Sequence, residues 1–562
     1  MRALTVVGFL FAVVALWAVT QSPSSSFDSQ PHDASLGQGD KGGRSVDEKR
    51  ALAIAFVQQQ MHEFSIPGLT LSVVYKNETV IAQGFGTKQV GKTDTPVTAS
   101  TLFQIGSYTK TFTALGIAKL VDDGRVQWND PVKQHLPWFQ LADKYAEKYT
   151  TLGDLLAMNS VLGAFEGDEI WPFGVYASEK AAIQHLANYT TTRPLRAGFA
   201  YSNLNFEVLG QVIEHMTNQT WFNFIKSTYL DPLGMHETFG APGDATGDLS
   251  SGHVACNHHE IGPFDLTKPT LATISPTFPY LAAGSILSSA NDLSKLSHFL
   301  LHKGHGILRS PSVVETMTTG HVVHSDLVVV PLTAADMSGF TFHADGNVLA
   351  AGYGFDFAGD VMYGYDFFAK NGDTAAFVQR NGFVPSEGLG VVLAMNVRNV
   401  AIPGSATSFI LDRMRSYVMG VFLDISQSQL EATYHQAIAH ANAFQPDDTI
   451  TCDAHFFGGQ PWEVPGVTIP AYTKVKLVGT YISTKQPGYY GKATVTMQGD
   501  ALMLQYGVVK KPLIATKDDT TFIWAVEVGA ATMEVTVAGL NTTTPSLTFF
   551  DGNPFTRTNV TV

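Results

Sequence analysis

From Ala51 to Phe64 the apolar positions recur at helical spacing, and after the break Ile66-Pro67-Gly68 two short runs, Leu69 to Tyr75 and Thr79 to Phe85, have the composition of strands. The polar pair Asn77-Glu78 between them predicts a hairpin. Leu102 to Ile105 leads into a further helix, in which Phe112, Leu115, Ala118 and Val121 recur every third residue until Asp122-Asp123-Gly124 stops it. To about residue 345 the pattern is mainly helical, with polar loops. Strand composition then returns in Gly352 to Phe368, Ala375 to Val384 and Gly388 to Met395, and Ala401 to Phe422 reads as a long helix. Strands first, helices in the middle and strands last predict an α+β domain: one antiparallel sheet assembled from both ends of residues 50–422, flanked by helices and joined to a helical subdomain. The cleft between sheet and helical region is where a binding site is expected.

Beyond Tyr472 the pattern changes to short strands with turns: Lys474 to Ile482, Lys492 to Met497, Leu502 to Tyr506, Thr521 to Val528, Met533 to Val537 and Leu547 to Phe550. This predicts a separate all-β domain over 465–562, a small barrel or sandwich. Residues 423–464 read as a linker with one polar helical piece near Glu431 to Ala443. At the other end, Met1-Arg2 and the apolar run Ala3 to Val19 have the charge and length of a secretory signal over residues 1–20, with an uncleaved membrane anchor as the alternative. No later stretch is a convincing span, so stable membrane insertion is not expected. Residues 21–49, rich in Ser, Asp, Gly and Gln, read as a flexible leader.

The length of 562 residues favours two or more domains, and 45% hydrophobic with 15% charged residues is globular composition. A formal charge of −14 without a basic patch argues against nucleic acid as a partner. Sequons at Asn77, Asn188, Asn218, Asn541 and Asn559 are candidate glycosylation sites that fit secretion to an extracellular location. Cys256 and Cys452 leave pairing and separate thiols equally open, and nothing specifies an oligomer.

Against this background Ser107-Tyr108-Thr109-Lys110 stands out, because a serine and a lysine three apart share one face of a helix, where an amine can take the hydroxyl proton. Alone, the pair reads more readily as a surface helix with an ordinary lysine, since such a match is expected roughly once by chance in a chain this long. Tyr201-Ser202-Asn203 supplies a phenol and an amide, a triplet otherwise common in turns and caps, and Lys370-Asn371-Gly372 supplies a cation and a glycine where plain turn chemistry is the alternative. His253, Cys256, His258 and His259 match no common zinc spacing. Asp366 reads as a solvent-facing strand residue and Glu207 as part of an ordinary helical pattern.

Taken together, S-x-x-K, Y-x-N and K-x-G in this order resemble the serine β-lactamase and penicillin-binding protein family, in its class C-like branch of peptidases and esterases. The segments 151–160, 283–293 and 385–392 look like the family's equivalents. The tail, with Val478-Gly479-Thr480-Tyr481 and Tyr489-Tyr490-Gly491-Lys492, is similar to the small β domain appended to some members. The resemblance implies Ser107 as nucleophile, Lys110 as its base and Tyr201 as an aid to proton transfer. It further implies Asn203 orienting Lys110 and the substrate amide, and Lys370, Asn371 and Gly372 at the substrate, with Lys370 easing a phenolate or binding an anion. The backbone N–H groups of Ser107 and Asp373 would form the oxyanion hole. No metal or cofactor is required by that mechanism. The departures, Asn371 in place of the commonest threonine and Asn159-Ser160 in the 151–160 segment, lie where substrate selection is expected. The function implied is a secreted serine hydrolase acting on an ester or amide, in a small molecule or short peptide that can contain D-amino acids. A catalytically idle binding protein and a true β-lactamase or D-Ala-D-Ala carboxypeptidase are the alternatives.

Overall fold

A computed structural model describes residues 43–256, 259–268, 282–324, 339–341, 348–400, 409–443, 467–528, 531–550 and 552–558. Helix α1 (Val46–Glu63) starts ahead of the expected Ala51, because Ser45 accepts the Glu48 N–H and Glu48 returns to the Ser45 N–H, a reciprocal cap. Strands β1 (Gly68–Tyr75) and β2 (Glu78–Gly86) form the expected hairpin. Its turn residues are Lys76 and Asn77, both with positive φ, one position earlier than the sequence suggests.

The later segment contributes β3 (Phe357–Met362), β4 (Tyr365–Ala369), the two-residue β5 (Gly372–Asp373), β6 (Val378–Val384) and β7 (Leu389–Met395). The sheet runs β2-β1-β7-β6-β4-β3, with β5 paired to β6 and two shorter strands beyond β3. Val73 of β1 lies opposite Val391 of β7, so the two ends of the domain meet at the centre of one antiparallel sheet, as the element order predicts. β1, β6 and β7 are buried throughout because both faces are covered. Val391 and Leu393 join a core with helix α5 (Phe409–Phe422), whereas Val392 joins the core of α2 (Thr109–Asp122), α3 (Asn203–Thr217) and α4 (Ala290–Leu301). That alternation is the period-two rule of a strand.

The tail is a closed antiparallel barrel of eight strands: β8 (Gly479–Ser483), β9 (Lys492–Gln498), β10 (Ala501–Tyr506), β11 (Val509–Ala515), β12 (Thr521–Val528), β13 (Ala531–Ala538), β14 (Ser546–Thr548) and β15 (Pro554–Arg557). Closure is through β8 and β15, with Tyr481 opposite Arg557. Two strands escape the sequence pattern because each carries a proline, Pro512 in β11 and Pro554 in β15, a residue that usually argues against a strand. The expected strand from Lys474 is a helix over Ala471–Leu477 and becomes extended only at Gly479. The linker helix is longer than expected, Gln427–Ala443. Among the described residues no helix is long and apolar enough to cross a membrane.

Candidate active site

The turn Gly106–Tyr108 connects a short strand, Phe103–Gln104, to α2. Gly106 has φ +53°, and a Cβ there would stand 2.7–2.9 Å from the backbone of Asp373. β5 therefore lies backbone to backbone against the serine turn, with the Asp373 peptide next to Gly106. Gly372, expected to open space for substrate, serves this packing instead, since a Cβ on it would overlap the Ile105 carbonyl oxygen.

Ser107 and Lys110 share one face of the turn and first helical residues, and Lys110 Nζ lies 3.0 Å from Ser107 Oγ. It also donates to Asn203 Oδ1 at 2.7 Å and to the Ala283 carbonyl at 2.8 Å. Lys110 is fully buried, and burial, assisted by the charge of Lys370, holds its pKa well below the ordinary lysine range. With Asn203 Oδ1 and the Ala283 carbonyl as acceptors for two of its protons, the amine form would turn its lone pair to the serine hydroxyl. Asn203 opens α3, and its Nδ2 donates to Asp168 Oδ2 at 2.6 Å. The side chain thus stands between Lys110 and Asp168, accepting from the first and donating to the second.

Tyr201 stacks on Phe165, with ring centroids 5.1 Å apart, and hydrogen-bonds Ser107. Lys370 Nζ donates to Tyr201 Oη at 3.1 Å and to Asp356 Oδ2 at 2.5 Å. An ammonium beside a phenol is expected to favour phenolate. Here burial and the Asp356 charge prevail and hold the Tyr201 pKa well above the ordinary tyrosine value, so Tyr201 is a phenol that can donate. Lys370 is held by Asn381 of β6, which accepts its N–H at 2.9 Å and donates to its carbonyl at 2.7 Å.

Asn371 is not part of this group. Along an extended strand its side chain points opposite to that of Lys370, and it meets α5, donating to Asp412 at 3.3 Å and accepting from Arg415 at 3.1 Å. Asp373 likewise turns its carboxylate to Arg380 at 2.9 Å, leaving only its backbone at the site. Asn159 and Ser160 shape the wall: Asn159 Oδ1 accepts the Gly198 N–H and Ser160 Oγ donates to Asn205. Ser107 and Tyr201 retain 9% and 8% of their surface, so the approach to the nucleophile is narrow.

Sequence reasoning passed over Asp168 and Asp356, and read Glu207 as an ordinary helical residue. Glu207 is fully buried, accepts the Ala283 N–H at 3.1 Å, and so fixes the peptide whose carbonyl holds Lys110. Burial and its neighbour Glu179 push its pKa up, which favours the protonated form. Spacing on α3 could have signalled this, since Glu207 stands one turn after Asn203 on the same face. Asp356 could have been noticed as an acid inside the apolar run Tyr353-Gly354-Phe355-Asp356-Phe357. Asp168 offered no signal, being brought in by a long loop.

Asp366 is exposed, as expected. His253 is buried with both ring nitrogens on backbone, one accepting from the Val90 N–H and the other donating to the Asn396 carbonyl. His258 and Cys452 lie outside the described residues, as does Asn559. The sequon asparagines Asn77, Asn188, Asn218 and Asn541 are exposed.

A serine on a helical turn, a buried lysine beside it, and a phenol and second lysine from two further elements are thus gathered in a β-lactamase-type fold. The chain belongs to the Beta-lactamase family, whose profile matches residues 53–407. Among curated relatives, protein flp of Staphylococcus aureus (strain COL) is 27% identical over 270 residues, 46% of this chain and 50% of that protein. The unguisins hydrolase ungD' of Aspergillus campestris is 27% identical over 355 residues, 60% of each. The chain thus spans about half the length of protein flp and somewhat more of the hydrolase. The octameric penicillin-binding protein homologue from Pyrococcus abyssi shares the fold, with a TM-score of 0.52 at 18% identity, over 90% of this chain and all of the other.

Proposed function

We propose that the protein is a secreted serine hydrolase that forms an acyl-enzyme on Ser107 and cleaves an ester or amide. The observation that carries this is the placement of Lys110: its Nζ lies 3.0 Å from Ser107 Oγ, and with Asn203 Oδ1 and the Ala283 carbonyl accepting two of its protons, its amine form would present the lone pair to Ser107. In the first half-reaction Lys110 takes the Ser107 proton as the Oγ–carbon bond forms, and the oxyanion is received by the N–H groups of Ser107 and Asp373. As the carbon–leaving-group bond breaks, the leaving atom takes a proton from Tyr201, which Lys110 resupplies. Water then repeats the sequence on the acyl carbon and frees Ser107.

The Lys370–Asp356 pair bears on substrate. Its ammonium already faces a carboxylate, so an acyl donor bearing its own carboxylate at that point must compete with Asp356. This favours esters, amides and peptides without a free carboxylate beside the scissile bond, and disfavours a β-lactam or a D-Ala-D-Ala terminus. The relative named as an unguisins hydrolase supports hydrolysis as the reaction. A catalytically idle protein is disfavoured because a buried amine costs stability that binding alone does not require.

The test is mass spectrometry after exposure to a fluorophosphonate. A single adduct on Ser107, absent in Ser107→Ala, is the expected result; an unmodified serine with no turnover of p-nitrophenyl esters or peptide amides would overturn the proposal. N-terminal sequencing of protein from culture medium tests export, which predicts a mature chain starting near residue 21.

A further inference from the structure

The loop between the 151–160 segment and the helix Glu179–Gln184 crosses from the active site to the barrel. At its near end Asp168 accepts from Asn203 Nδ2, and Asn203 in turn accepts from Lys110. One residue earlier, Gly167 has φ +79° and its carbonyl accepts from Tyr489 Oη of the barrel at 2.7 Å; a Cβ on Gly167 would stand 2.9 Å from that oxygen. At its far end Phe173 leaves the catalytic domain altogether. It is fully buried and stacks on Trp524 of β12, with centroids 5.4 Å apart and rings 18° from parallel. Its carbonyl accepts the Val508 N–H from the turn between β10 and β11 at 2.8 Å.

We propose that Asp168 is a positioning residue for the catalytic amine and that the barrel holds it there, so that the C-terminal domain completes the active site through the chain Tyr489–Gly167, Asp168–Asn203, Lys110. The inference rests on the assignment of Lys110 as the base for Ser107. Each link acts on the next: Tyr489 fixes the backbone before Asp168, Asp168 fixes the rotamer of Asn203, and Asn203 fixes one proton of the amine. Phe173 anchors the same loop on the far side, so it is held at both ends by the barrel.

The experiment measures the second-order rate of fluorophosphonate labelling against pH for the full chain and for Asp168→Asn, Asp168→Ala and Tyr489→Phe. The rate rises as Lys110 loses its proton. The Asp168 charge opposes the burial that lowers the Lys110 pKa, so its removal in Asp168→Asn is expected to move this rising limb to lower pH. The amide introduced by Asp168→Asn can still accept from Asn203, so the plateau falls less in that variant than in Asp168→Ala, where a loss of about tenfold or more is expected. Tyr489→Phe, altered only in the barrel, is expected to lower the plateau several-fold while melting within a few degrees of the parent. A limb and plateau unchanged in Asp168→Ala or Asp168→Asn, or an unchanged plateau in a folded Tyr489→Phe, would overturn the inference while leaving the acyl-enzyme reading intact. Failure of the parent itself to label at Ser107 would overturn that reading, and the inference with it.

Discussion

At the scale of the residue, the site is a set of protons with assigned owners. Burial lowers the pKa of Lys110 and so favours its amine form, and burial with the Asp356 charge raises that of Tyr201 and favours its phenol form. Those shifts suit the first to take a proton and the second to give one. Replacing Tyr201 with Phe keeps the stack on Phe165 and removes the donor, so kcat/KM for an amide substrate should fall about 10²–10⁴-fold. An activated p-nitrophenyl ester, whose leaving group needs no proton, should lose much less. Equal losses on both substrates would remove Tyr201 from the leaving-group step. Asp356 makes a different prediction: Asp356→Asn frees the Lys370 ammonium, and the ratio of kcat/KM for a peptide ending in a free carboxylate to that for its amide should rise. A hydrogen bond from that ammonium to the substrate carboxylate is worth roughly 1.5–3 kcal/mol, or about ten- to a hundredfold in the ratio. An unchanged ratio would place the substrate carboxylate away from Lys370.

At the scale of the element, the helix and strand that present Ser107 and Lys370 were legible in the sequence, and the loops that complete the site were not. The S-x-x-K spacing is a local rule, satisfied by the turn and the start of α2 whatever surrounds them. The order of strands and helices likewise foretold that β1 and β7 would be neighbours, because hydrophobic runs at both ends of a domain need one sheet to share. Asn371 was misplaced because a motif names residues without their facing, and only the pairing of β5 with β6 decides which side chain meets the cleft. Asp168 and Asp356 depend on contacts between remote segments, for which no spacing exists. Glu207 lies between these cases, visible by its helical position but with a role set by Ala283 and Glu179. Its pKa is near 4.3 in an unfolded chain and is raised in the folded one, so between those values the folded state binds the extra proton. Its contribution is therefore most favourable at low pH and is lost as pH rises toward the folded value. Glu207→Gln keeps an acceptor for the Ala283 N–H and needs no proton. Melting temperatures from pH 5 to 9 should show the variant gaining on the parent as pH increases; a constant offset would mean that Glu207 does not titrate in this range.

At the scale of the whole molecule, the two domains share a core rather than a linker. The aromatic cluster of the barrel, with Tyr506, Trp524 and Phe550, includes Phe173 of the catalytic domain as one of its rings. Tyr176 adds a hydrogen bond to the Tyr489 carbonyl at 2.5 Å, and Tyr189 packs on Tyr489 with centroids 4.6 Å apart. An interface built on fully buried aromatics transmits stability between its halves, whereas a polar interface between tethered domains lets each melt alone. The parent should therefore unfold in a single calorimetric transition. Phe173→Ala removes one ring from the shared core at a cost of about 3–5 kcal/mol. Because that ring belongs to one domain and its partners to the other, the loss falls on the coupling between them. The endotherm should broaden or divide into two, and the near-ultraviolet dichroism of Trp524 should weaken before the catalytic domain melts. If Phe173→Ala instead lowered a still-single transition without changing the aromatic signal, Phe173 would be stabilising its own loop and the barrel would be an independent passenger.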